Sequence, residues 1–232
     1  MTAVAAKFPR RRDGYYHLNG EKYVSVTEVI SVLNKPALVT WAAKTAATLV
    51  LNDPEQFDTA EKAASGIYQA RDRAAGRGTT VHSLAEAVLL GGEIDETDMA
   101  PAILGRLNAI RTFVRDTQPK LIETECNVYS EKHLFAGTCD LIAEIGGQTL
   151  MVDWKTGKGI YPESALQLSA YRHADFILTK DPEPLRLPMP AISATAVCLL
   201  MDDGTYTFQR VEAPIEVFLA LQRVWAWTKE GK

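Results

Sequence analysis

A chain of 232 residues, 47% hydrophobic and 23% charged, suits one domain with a sizeable core, or one domain with a helical elaboration. Its formal net charge of −4 argues against nonspecific coating of nucleic acid and confines any DNA contact to a local groove or channel. Three widely spaced cysteines (Cys126, Cys139, Cys198) form neither a disulfide framework nor a CxxC zinc pair. They read as free buried thiols. No run is long enough for a membrane span, and the N-terminus MTAVAAKFPRRR lacks the apolar stretch of a secretory signal, so a cytoplasmic protein is expected.

The basic triplet Arg10-Arg11-Arg12 reads as a tail. YYHLNGEKYVS then predicts a hairpin turned at Asn19-Gly20. Ser25-Val26-Thr27-Glu28 offers a capping box for a helix through Leu33. Pro36 opens an Ala-rich helix to about Leu51. TAEKAASGIYQARDRAA and TTVHSLAEAVLL are two further helical patterns, separated at Gly76-Arg77-Gly78, and Met99–Asp116 makes a fifth helix ended by Gln118-Pro119. Beyond Pro119 the texture changes to strands: LIETECNVYS, FAGTCDLIAEI and QTLMVDWK. A helix from Pro162 to Leu178, a Pro-rich loop from Pro182 to Pro190, two strands joined through Asp202-Asp203-Gly204, and a helix from about Pro214 complete the chain. This order predicts a single mixed α/β (α+β) domain over 1–232. Its 1–117 part is mainly helical, 118–212 holds the central mixed sheet and flanking helix, and 213–232 forms a C-terminal helix.

Gly146-Gly147 fits a two-residue turn, which would pair residues whose numbers sum to 293. Leu141 then faces Val152 and Cys139 faces Trp154 on an apolar side, while Asp140 faces Asp153 and Thr138 faces Lys155 on the other. Two carboxylates lie directly opposite, with β-carbons about 5 Å apart. Like charges so placed call for a shared proton or a cation, and hard oxygens at this spacing favour Mg²⁺ or Mn²⁺.

The series Gly137-x-x-Asp140, Asp153-x-Lys155 and Gln167-x-x-x-Tyr171, with Gly78-x-x-x-His82 upstream, resembles the PD-(D/E)XK nuclease superfamily. Its RecB-like branch, which includes phage recombination exonucleases, matches best, over Gly76–Arg172. The resemblance implies a restriction-endonuclease-like sheet and a Mg²⁺-dependent DNA exonuclease of recombination or repair. Mg²⁺, or Mn²⁺ in its place, would be held by His82, Asp140, Asp153 and the Trp154 main-chain carbonyl. Asp140, Asp153 and Lys155 would be catalytic, with Lys155 orienting or deprotonating the attacking water and offsetting phosphate charge. Gln167 and Tyr171, one helical turn apart, would steady the site and touch DNA.

Glu86, one turn after His82, and Glu125, in the preceding strand, are candidates for an outer or second-metal carboxylate, against the plainer reading of surface acids. Arg71, Arg73 and Arg77 are candidates for holding phosphates, against that of a solvated helix face. The implied substrate is linear DNA with free ends. The implied partners are a single-strand annealing protein or another recombination factor, with no membrane contact, and the likeness extends to ring-like homo-oligomers. The first motif lacks the family's Pro, and the second acid is Asp rather than Glu. Three scattered cysteines do not supply the four that hold an iron–sulfur cluster in some relatives. No GxxxxGK[ST] loop is present, so a translocating motor would be another protein. Lys155-Thr156-Gly157 also matches the KTG element of serine β-lactamases, but no suitable S-x-x-K precedes it. A structure- or site-specific endonuclease and a catalytically idle DNA-binding fold are the alternatives.

Overall fold

The computed structural model of the protein describes residues 11–230. Arg10 lies outside them, whereas Arg11 is tied down: its guanidinium pairs with Glu28 at 2.9 Å and reaches the Thr27 hydroxyl. The fold is mixed α/β, with nine strands in one largely antiparallel sheet and six helices among the described residues. The chain divides into two compact units, residues 33–81 and the remainder, with the boundary inside one helix.

In the larger unit, strands β1 (Tyr15–Leu18) and β2 (Glu21–Ser25) form the expected hairpin. Asn19 and Gly20 both take positive φ, 52° and 87°, as a tight two-residue turn requires. Helix α1 (Val26–Ile30) is shorter than the capping box suggests. Ser25 makes no side-chain cap; its hydroxyl bonds Thr27, and Glu28 is drawn to Arg11 and Lys229 instead.

The unit of residues 33–81 holds α2 (Pro36–Asn52) and most of α3 (Ala60–Leu89). Helix α3 runs unbroken through Gly76-Arg77-Gly78, where a break was expected. Each glycine costs a helix only about 1 kcal/mol, and the flanking Ala, Arg and Thr residues carry the pattern through. Gly66 of α3 packs so closely that a β-carbon there would lie 2.6 Å from Leu49 and 2.7 Å from Phe57.

Helix α4 (Pro101–Thr117) starts on Pro101 and ends at Gln118, which takes the left-handed conformation at φ 43° just before Pro119. Next come β3 (Lys120–Ser130), β4 (Phe135–Ile145) and β5 (Gln148–Lys155). Gly146 and Gly147 turn at φ 58° and 76°, and the β4–β5 ladder runs from Ile145–Gln148 to Leu141–Val152, each pair summing to 293. Helix α5 (Pro162–Arg172) stops short of the expected Leu178. Phe176–Leu178 instead forms β6, a buried strand paired with β3, because aromatic and β-branched residues at a sheet edge favour pairing over helix. Within the Pro-rich loop, β7 (Arg186–Pro188) covers β6 as an edge strand, where proline is tolerated. Strands β8 (Ala194–Leu200) and β9 (Tyr206–Arg210) and helix α6 (Ile215–Glu230) follow.

The sheet order is β7-β6-β3-β4-β5-β8-β9, with β5 and β8 parallel and β2 joining β4 in parallel. Each face of β5 meets a different helix. Trp154 lies edge-on against Phe113 of α4, 5.1 Å between ring centres, while Asp153, one residue earlier, meets Gln167 of α5. Helix α5 lies so near β4 that a β-carbon on Gly137 would sit 2.2 Å from the Tyr171 ring. Gly137→Ala should therefore cost about 1–3 kcal/mol in urea unfolding, the usual scale of overpacking. Combined with Tyr171→Ala, the two losses should be clearly less than additive; full additivity would show that the contact does not set the helix position.

Candidate metal centre

Within the larger unit, the end of α3 from His82 onward, β3 and β4 bring ligand-type side chains together. His82 stands on α3 between the buried Val81 and Ala85. Glu125 and Asp140 are neighbours across β3 and β4, bracketed by the pairs Thr124–Leu141 and Cys126–Cys139. Glu125 takes φ 50° inside a strand, a conformation rare for a residue with a side chain, which turns it from the regular pleat. The Thr124 hydroxyl pins the adjacent backbone by donating to the Asp140 carbonyl at 2.9 Å.

His82 Nδ1 is 3.4 Å from Asp140 Oδ1 and 3.7 Å from Glu125 Oε1. One nitrogen and two carboxylate oxygens thus lie within 4.8 Å of one another, the donor set of a divalent-cation site. Glu125 Oε1 is out of contact with solvent and receives no hydrogen bond, its nearest cation being His82 at 3.7 Å. A buried carboxylate oxygen left so is costly unless a cation completes it, so these residues fit a metal.

Asp153 stands beside this trio, and its two oxygens have neighbours of their own. Oδ1 accepts a hydrogen bond from Gln167 Nε2 at 3.0 Å, and Lys155 Nζ lies 2.6 Å from Oδ2. Gln167 also donates to the Tyr171 hydroxyl at 3.2 Å, so the two α5 residues of the motif act on one another and on Asp153. Asp140 Oδ2 accepts the Trp154 amide N–H at 2.8 Å, which locks β4 to β5 at the level of the acid pair.

The charges explain the protonation states. Burial opposes charge on His82, but Asp140 and Glu125 outweigh it and push its pKa up to about 10. Burial would raise Asp140, yet the cations of His82 and Lys155 and the Trp154 amide bring it below the usual carboxylate range. Asp153 goes the other way. Burial, joined by the Asp140 charge, pushes it up to about 6 despite Lys155. Lys155 is raised, because Asp153 and Asp140 overcome its burial, so it stays an ammonium ion at neutral pH.

The remaining residues expected at a site have contacts of their own. Glu86 is bound through both oxygens by Lys180, at 2.7 and 2.5 Å. Arg71, Arg73 and Arg77 are exposed and belong to the unit of residues 33–81; Arg71 lies over the Tyr68 ring and pairs with Asp72. A polar row that the motifs do not reveal joins Tyr16, Thr138 and Asn127 through hydroxyl contacts of 3.1 and 2.9 Å. No protein-family description matches the chain, and no curated protein matches it.

A cation requires neutral imidazole, so binding must expel the His82 proton. Mg²⁺ or Mn²⁺ affinity should rise by up to about tenfold per pH unit from neutrality towards pH ~10. Calorimetry in buffers of different ionisation enthalpy should show about one proton released per ion at pH 7. Release that persists unchanged in His82→Gln would remove His82 from the site.

Asp153 gives a separate test on the metal-free protein. A carboxyl raised in the fold costs stability as pH climbs from its unfolded pKa through about 6, the reverse of the usual paired acid. Asp153→Asn should therefore stabilise metal-free protein by about 1–3 kcal/mol above pH 6, and the gain should vanish below pH ~4. Destabilisation at pH 7 in chemical denaturation would contradict this.

Proposed function

We propose that this protein is a metal-dependent deoxyribonuclease of the PD-(D/E)XK type that hydrolyses phosphodiester bonds from DNA ends, in recombination or repair. One observation carries the reading. His82, Asp140 and the Asp153–Lys155 pair follow the motif order of that superfamily, and Glu125 converges on His82 and Asp140 with a buried carboxylate oxygen that receives no hydrogen bond.

His82, Glu125 and Asp140 would hold Mg²⁺ or Mn²⁺, with Asp153 adjoining. The bound ion would supply Lewis-acid stabilisation of phosphate charge and a lowered water pKa. The chain's own groups have distinct tasks. Lys155, held as an ammonium ion, offsets negative charge on the phosphate rather than removing a proton. Asp153 Oδ2 lies 2.6 Å from Lys155 Nζ, so the carboxylate would hold that ammonium ion beside the metal site. Gln167 fixes the carboxylate plane through Oδ1 and is itself held by Tyr171. A net-acidic chain must hold DNA in a restricted track, which favours a threaded free end over the middle of a closed duplex.

With Mg²⁺ or Mn²⁺, end-labelled linear duplex should be degraded, covalently closed circles should survive, and EDTA should stop the reaction. Lys155→Met should keep metal affinity and cleave at least ~10²-fold more slowly. Rapid cutting of closed circles would establish an endonuclease, and DNA binding without cleavage of any substrate would establish an idle fold.

A further inference from the structure

Away from the metal centre, a cavity of about 300 Å³ opens between α5, the start of β8 and the segment leading to α6. Ser169, Arg172, Thr195, Glu212, Ala213 and Pro214 line it. Ser169 and Arg172 are three residues apart on α5, on the side of the helix opposite Gln167. No residue of this cavity belongs to the metal centre.

Its polar groups form a definite pattern. Ser169 is 2% exposed, and its hydroxyl has no hydrogen-bond partner. Thr195 offers nothing further, because its hydroxyl is already bonded to the Val211 carbonyl. Arg172 spends one Nη2 hydrogen on the Ile192 carbonyl at 3.2 Å, which anchors the guanidinium and leaves the rest of its fork for an anion. Glu212 is exposed at the cavity, and no ion pair among the described residues joins it to Arg172. The site therefore combines a guanidinium and an orphan hydroxyl with a separate carboxylate.

A plain inorganic anion would satisfy Arg172 and Ser169 but would face Glu212. A plain amine would satisfy Glu212 and leave the two donors empty. A molecule with both a carboxylate and an ammonium group answers all three, and the volume is at the small end of ligand pockets. We propose that this cavity binds a small zwitterionic carboxylate of the amino-acid class, its carboxylate on Arg172 and Ser169 and its ammonium towards Glu212. The site stands apart from the nuclease reading and survives its failure.

The test is titration of the full chain, followed by NMR or calorimetry, with L-alanine, with acetate and ethylamine as half-ligands, and with inorganic phosphate. L-alanine should bind with Kd in the millimolar range or tighter, and each half-ligand at least ~10-fold more weakly. Arg172→Gln should lose binding at least ~10-fold, and Ser169→Ala, which only removes the hydroxyl, should weaken it several-fold. Glu212→Gln should erase the preference for L-alanine over acetate. Should Arg172→Gln fail to fold, the Ser169 and Glu212 variants decide. No binding up to ~50 mM, phosphate bound as tightly as L-alanine, or affinity indifferent to all three substitutions would overturn the proposal.

Discussion

Strand β4 changes partner along one edge. Its Leu141–Ile145 half is laddered to β5, its first residues Phe135 and Ala136 to β2, and Gly137 to Asp140 fall between. There the Asp140 carboxylate takes the place of a strand by accepting the Trp154 amide N–H. The side chain that ends the ladder is thus the side chain that faces His82. The missing β-carbon of Gly137 lets Tyr171 come down on the same opening, and Tyr171 positions Gln167 against Asp153. Backbone pairing, helix placement and the chemistry of the acids all depend on this gap in the sheet.

The gap has an electrostatic consequence. Asp140 and Asp153 are both buried, 6% and 2% exposed, and ionising both in a poorly solvated place is costly. The metal-free protein divides the burden unequally. Asp140 gains His82 and an amide hydrogen bond and stays charged, whereas Asp153 is left with an elevated proton affinity. His82 and Lys155 hold their protons for the same reason. A divalent cation would replace the histidine proton and reverse that inequality, so metal loading and protonation are linked throughout the site. The φ of 50° at Glu125 belongs to the same arrangement, a backbone conformation retained where it brings a second carboxylate oxygen to the centre.

Much of this was legible in the sequence, for physical reasons. Gly146-Gly147 fixes a two-residue turn, and a two-residue turn fixes register, so the pairs from Ile145–Gln148 to Leu141–Val152 followed from the numbering alone, whereas the expected pairs Asp140–Asp153, Cys139–Trp154 and Thr138–Lys155 lie beyond the end of the ladder, where the Asp140 side chain takes the Trp154 amide instead. The mixed α/β class followed from the change of texture at Pro119. Glu125 reads in the sequence only as an outer or surface acid because the β3–β4 connection, Glu131–Leu134, carries no turn signal that sets its register, and a backbone turned to positive φ leaves no trace in a periodicity. The local cost of glycine predicts a break in α3, which the favourable residues on either side carry through. The local pattern extends a helix from α5 over Phe176–Leu178, because the pairing of β6 with β3 is a distant contact that a local pattern does not contain.

The central claim is that His82, Glu125 and Asp140 hold one divalent cation. Electron paramagnetic resonance of the Mn²⁺-loaded protein reads its ligands directly. With nitrogen-15-labelled histidine, electron spin echo modulation should show one directly bound imidazole nitrogen. That signal should disappear in His82→Gln, and Glu125→Gln should bind Mn²⁺ at least ~10-fold more weakly. Tight Mn²⁺ binding with no nitrogen modulation, and with affinity unchanged by both substitutions, would contradict the account.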